Sequence, residues 1–232
     1  MSVGYCENTI YIATDDVPAI GAAIVEMVAR EGMQAIAVEL PDPRGLDAGI
    51  WAVTVFPGAP GWAIVKSGPQ DLLFELSPIS RRMRFLDLCD RLGTRGFIWE
   101  LYGGYEGQLI VESDGAGNHL ASGHHWDGGY DCDPFDFYGT PLDRERAHSL
   151  QFELLPELAP LLVRGEDYAF APYQTDHEAE RLSYYFAQEL AGANARYCKD
   201  AEAWGHLRGS ALHDIPGAVT QYFRPSVQAR HD

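Results

Sequence analysis

Basic residues are scarce in this 232-residue sequence: 17 Lys and Arg together, only two of them Lys (Lys66 and Lys199), against 34 Asp and Glu. The resulting formal charge of -17 creates a field that repels phosphate backbones and anionic lipid surfaces. Nucleic acid and membrane are therefore disfavoured as partners, and a basic protein or a cation is favoured. The strong preference for Arg over Lys, with abundant Ala and Gly, fits a high-GC bacterial genome. Cysteines are few and scattered, since Cys6, Cys89, Cys132 and Cys198 form no C-x-x-C pair, so neither a zinc knuckle nor a redox dithiol is indicated. Reduced thiols in a cytoplasmic protein suit this pattern. No apolar run approaches the roughly 20 residues that span a bilayer. Asp15 and Asp16 interrupt the N-terminal segment before it reads as a signal peptide.

The familiar catalytic signatures are missing as well. No serine sits in a G-x-S-x-G elbow. The glycine-rich pieces G-G-Y-E-G and D-G-A-G-N carry neither the Walker lysine nor the dinucleotide fingerprint, and hairpin turns account for both. The run from Asp176 to Glu180 fails as H-E-x-x-H, because the residue four after His177 is Arg181. Acidic side chains at a helix start explain that run electrostatically. His206 and His213 stand alone. These absences name no reaction and imply no cofactor, so an enzyme is the less favoured class.

What remains is an ordinary globular composition, 46% hydrophobic and 22% charged, enough to fold unaided. Thr9 to Ala13 reads as a strand, and Asp15 and Asp16 with Pro18 open a helix over 19–30 whose Ile20, Ile24, Met27 and Val28 share one stripe. Gln34 to Leu40 reads as the next strand. At an offset of 61 residues, 26–40 pairs with 87–101 so that Arg30 meets Arg91, Gly32 meets Gly93 and Glu39 meets Glu100. With Leu72 to Glu75 standing where Ile10 to Ala13 stood, the pattern suggests one strand-helix-strand unit used twice, its second helix over 80–92. Strands are expected at 50–56, 62–66, 97–102, 108–112 and 119–122, joined by short turns of the kind that link antiparallel neighbours. Past Thr140 the texture turns helical, over 143–155 and 175–191, with a last strand at 218–223. The expected fold is α+β: a mixed or antiparallel sheet from two strand-helix-strand units in residues 1–140, with a helical cover from 141–232 packed on the same globular domain.

The stretch Ser122 to Thr140, S-G-H-H-W-D-G-G-Y-D-C-D-P-F-D-F-Y-G-T, concentrates the functional candidates. It holds two His, four Asp and five aromatic rings in nineteen residues with no Lys or Arg. Metal-ligand types are plentiful, with His125, Asp131 and Asp133 the weak candidates, but adjacent histidines on a strand point to opposite faces and the D-x-D-x-D-G calcium loop is absent. Cys132 lies between Asp131 and Asp133, whose charge disfavours a thiolate. Exposed rings beside fixed charges are instead the ingredients of interface hot spots. The interface candidates are His124, His125, Trp126, Asp127, Tyr130, Asp131, Asp133, Phe135, Asp136 and Tyr138.

In general character the chain resembles bacterial immunity proteins that neutralise toxins passed between competing cells. The resemblance rests on the acidic aromatic stretch and the acidic, motif-poor α+β make-up, and carries no residue role across. It implies a cytoplasmic protein-binding module that occludes a basic or enzymatic protein partner. The alternative is a metal-dependent enzyme or metal-binding module centred on 124–136, and a third reading is a homo-oligomer built through sheet edges.

Overall fold

The computed structural model describes residues 7–38, 50–68, 72–102, 107–125, 152–161, 187–198 and 215–225. Eight strands, β1 (Glu7–Ile12), β2 (Met33–Ile36), β3 (Trp51–Pro57), β4 (Ala63–Gly68), β5 (Gly96–Tyr102), β6 (Gly107–Ser113), β7 (His119–His125) and β8 (Val219–Pro225), form one sheet in the order β2-β8-β3-β4-β1-β5-β6-β7. Every pairing is antiparallel. The fold is thus a mixed α and β structure on an antiparallel sheet. Among the described residues no helix is long and apolar enough to cross a membrane.

Helix α1 (Val17–Arg30) starts where its sequence says it should. The Asp16 carboxylate accepts the Ala19 amide at 3.0 Å, and a proline occupies the first turn where no amide is needed. Its Ile20, Ile24, Met27 and Val28 are buried. Helix α2 (Arg84–Leu92) closes on Gly93 at φ 60°, a left-handed conformation that a residue without Cβ adopts at no steric cost. Both helices pack with one face of the sheet, in a cluster that includes Ile10, Ile12, Val53, Val55, Val65, Ile98 and Phe223. The other face, carrying Tyr11, Phe56, Ile64, Phe97, Trp99, Ile110 and Tyr222, is covered by later residues, among them Phe152, Leu155, Leu158, Leu190, Tyr197 and Ile215. Strands at the centre are therefore buried on both sides, as in β3, where every residue from Ala52 to Phe56 is buried.

Several expectations are corrected. Leu72 to Glu75 forms a turn, not a strand, because the carbonyls of Leu73 and Glu75 are taken by the amides of Phe85 (2.8 Å) and Arg84 (3.1 Å) at the start of α2. The second strand-helix-strand unit accordingly lacks its first strand. What the two halves share is helix, left-handed glycine, strand: Gly32 has φ 82° and Gly93 φ 60°. The strands that follow occupy different places, β2 paired with β8 and β5 held between β1 and β6. The expected helix over 143–155 does not include 152–155, and the first helical turn seen there is the 3-10 turn Pro156–Leu158. Of the helix expected over 175–191, only the π-helical turn Ala187–Ala191 falls within the described residues. The last strand exists, but it inserts between β2 and β3.

The later segments are tied to the sheet through its turns. The Ala59 amide donates to the Leu190 carbonyl at 2.8 Å, and Asn194 Nδ2 donates to the Pro57 carbonyl at 2.8 Å. A Cβ on Gly58 would overlap the Leu190 carbonyl oxygen and press on that of Trp62. Gly58→Ala should therefore displace the 187–198 segment and cost about 1–3 kcal/mol of stability, measured as a lower urea midpoint; an unchanged midpoint would mean that this close approach is not needed.

Candidate functional site

Only the start of the acidic aromatic stretch lies within the described residues. His124 and His125 are the last two residues of β7, opposite Gln108 and Gly107 of β6. Through Gln108 with Leu101, and Leu101 with Glu7, His124 belongs to a backbone row running across β7, β6, β5 and β1. The stretch thus leaves the sheet at the end where β5 finishes and β1 and β6 begin, from the outermost strand on that side. Trp126, Asp127, Tyr130, Asp131, Asp133, Phe135, Asp136 and Tyr138, with Cys132, lie outside the described residues. Among the described residues no group of three or more His, Cys, Asp or Glu is arranged to hold a metal ion.

Two residues inward from that row lies a polar line that the sequence reading passed over. Thr220 is opposite Thr54, and Thr54 is opposite Lys66, on three adjacent strands. The next strand, β1, brings Thr9 beside Lys66. The hydroxyls of Thr54 and Thr220 are 2.8 Å apart. Lys66, only 3% exposed, directs its ammonium to three oxygens: the carbonyl of Asn8 at 2.8 Å, the hydroxyl of Thr9 at 2.9 Å and the carbonyl of Cys198 at 2.6 Å. Thr9 in turn donates to the Cys198 carbonyl at 3.1 Å, and Tyr11 Oη lies 3.8 Å from the Cys198 sulfur. An ammonium has three donors to place and each finds an acceptor here. The line is at once part of the sheet and the seat of the 192–198 segment.

A carboxylate plays the matching part further along the same face. Glu112 on β6, 1% exposed, accepts the amides of Glu153 (3.2 Å), Leu154 (3.2 Å) and Leu155 (3.1 Å). Three consecutive amides aimed at one carboxylate form an anion-binding nest. Burial nevertheless pushes the Glu112 carboxyl above its ordinary value, because the amide bonds only partly offset desolvation and the charge of Glu153 adds to it.

On the helix face, Arg84 joins three elements. Its Nε reaches Glu31 at the end of α1 at 2.7 Å, and its Nη1 reaches the Leu72 carbonyl at 2.9 Å and Glu75 at 2.8 Å. Cys89, fully buried beneath α2, has its thiol pushed up by burial against a smaller opposing effect from Ser113, so it stays a protonated core residue. Lys66, Glu112 and Arg84 are accounted for by the ties they make, while the second carboxylate oxygen of Glu31, Oε1, is buried with no hydrogen-bond partner among the described residues. Compared with known proteins, the chain matches no family model, no curated protein and no solved structure.

The signal for the missed line was a polar residue at an inward position of an otherwise apolar strand: Thr9 in T-I-Y-I, Thr54 in W-A-V-T-V-F, and Lys66, one of two lysines, in A-I-V-K. Lys66→Met should take the ammonium from three acceptors, of which the Cys198 carbonyl keeps the Thr9 hydroxyl, and cost roughly 1–3 kcal/mol, read from urea unfolding. A loss below about 0.5 kcal/mol would mean that the ammonium merely fills space.

Proposed function

We propose that this protein is an acidic, cytoplasmic protein-binding module that acts by occluding a basic or enzymatic partner, in the manner of an immunity protein. One observation carries the reading: the candidate stretch leaves the end of the outermost strand β7, on a sheet whose central strands are buried on both faces. With the faces committed to cores, contact with a partner falls to the ends and edges of the sheet. The formal charge of -17 supplies steering toward a basic surface. The rings Trp126, Tyr130, Phe135 and Tyr138 supply the anchors, and Asp127, Asp131, Asp133 and Asp136 set charge complementarity at the rim. His124 and His125 sit where the stretch joins the sheet. In this reading 1–140, completed by β8, is the frame and the rest of 141–232 a mostly helical cover on the same domain. Neither nucleic acid nor membrane is a partner, and any self-association is secondary.

The test is a titration against the partner, recovered first by co-purification from the source cells and then purified. Trp126→Ala and Tyr130→Ala should each weaken binding by about tenfold or more. Asp131→Asn with Asp133→Asn should chiefly slow association, and the slowing should fade as salt is raised. If all of these variants bind like the native chain, the stretch is not the docking surface. A melting temperature raised by Ca²⁺, Mn²⁺ or Zn²⁺ and insensitive to those ions in His125→Ala/Asp131→Asn would replace this reading with the metal-binding one.

A further inference from the structure

We propose that Glu112 is a proton-dependent latch, holding residues 152–161 on the second face of the sheet with a grip set by whether its carboxyl group carries a proton. The geometry isolates the segment as one unit. Phe152 packs edge-on against Phe97 at 5.2 Å, and Leu155, Leu158 and Leu161 are buried in the same cluster. Between these apolar anchors, the amides of residues 153–155 have left helical geometry and turned to one side chain. A backbone run that gives its hydrogen bonds to a single carboxyl group depends on that group in a way that a helix or a strand does not.

Burial sets the sign, and the charged surroundings add to it. Glu153 is the charge that acts on it, and Glu157 further along the segment is paired with Arg95 of the turn before β5. The residues opposite Glu112 on the flanking strands, Phe97 and Leu120, are uncharged. A buried carboxylate beside a second carboxylate is better tolerated protonated, and its folded value is raised accordingly. Detaching the segment would let water reach the carboxylate and return it toward the ordinary value. The closed segment is therefore favoured fully below that ordinary value, and its advantage is lost as pH rises through the raised one.

Hydrogen exchange of the amides of residues 153–155, corrected for intrinsic pH dependence and followed from about pH 4, near the ordinary carboxyl value, up to about pH 8, tests the latch. In the native chain the opening constant should rise with pH, by up to about tenfold per pH unit where the carboxyl titrates. In Glu112→Gln the rise should be absent. In Glu153→Gln, an exposed change that leaves the fold alone and remains informative should Glu112→Gln fail to fold, the rise should move to lower pH. Opening that is independent of pH in the native chain, a Glu112→Gln profile that tracks it, or no displacement in Glu153→Gln would each overturn the proposal.

Discussion

The structure depends on one constraint: an antiparallel sheet that must be buried on both faces. Antiparallel sheets commonly keep one face in water, which lets their strands alternate polar with apolar residues. Here α1 and α2 claim one face and the later segments claim the other, so the central strands carry no solvent side. The second layer lacks the regularity of the first, since its described pieces are a single 3-10 turn, a π-helical turn and the short 3-10 helix Gly192–Cys198, with short irregular runs. Regular elements satisfy their own amides and carbonyls, whereas irregular ones laid on a dry surface must borrow partners. The sheet supplies them: Glu112 takes three amides, Lys66 and Thr9 take the Cys198 carbonyl, and the β3–β4 turn takes its share through Ala59 and binds Asn194. The charged and hydroxyl side chains on this inner face follow from that need. A purely apolar face would bury the segments more cheaply but leave their backbone unsatisfied.

What could be seen in the sequence was whatever is encoded locally. The cap at Asp16, the apolar stripe of α1, the C-terminal glycine of α2 and the turn after β6 are each written in adjacent residues, and each appears within a few positions of where it is expected. The loop after β6 is an example, with Asp114 accepting the amides of Ala116 and Asn118 to close the turn that S-D-G-A-G-N implies. What could not be seen was anything settled by distant partners. L-L-F-E reads as a strand by composition, yet its carbonyls are consumed by α2 and by Arg84. The apparent repeat rested on helix-glycine-strand grammar that both halves obey for local reasons. The insertion of β8 between β2 and β3 joins residues more than a hundred positions apart, with no periodicity to announce it. For the candidate stretch, the sequence supplied a list of residue types, and the described residues add only where it departs from the sheet.

The two-sided sheet also limits how such a protein can recognise anything. Binding sites on α+β folds often use an open sheet face, where side chains two apart present a flat, tunable surface. That option is closed here because the face is occupied by the chain itself. The proposed contact therefore falls to the strand ends, where side chains can change without disturbing either core. The rigid row of Glu7, Leu101, Gln108 and His124 beneath the stretch spreads its backbone over four strands, so a load applied at that end is shared by the sheet. Two residues deeper, the Lys66 line fastens the same region to the 192–198 segment. For the proposed function such a base matters, since pre-organised attachment lowers the ordering cost of binding. The described architecture thus has its fixed points in the buried polar ties, and the proposed contact surface begins where β7 ends, at His125.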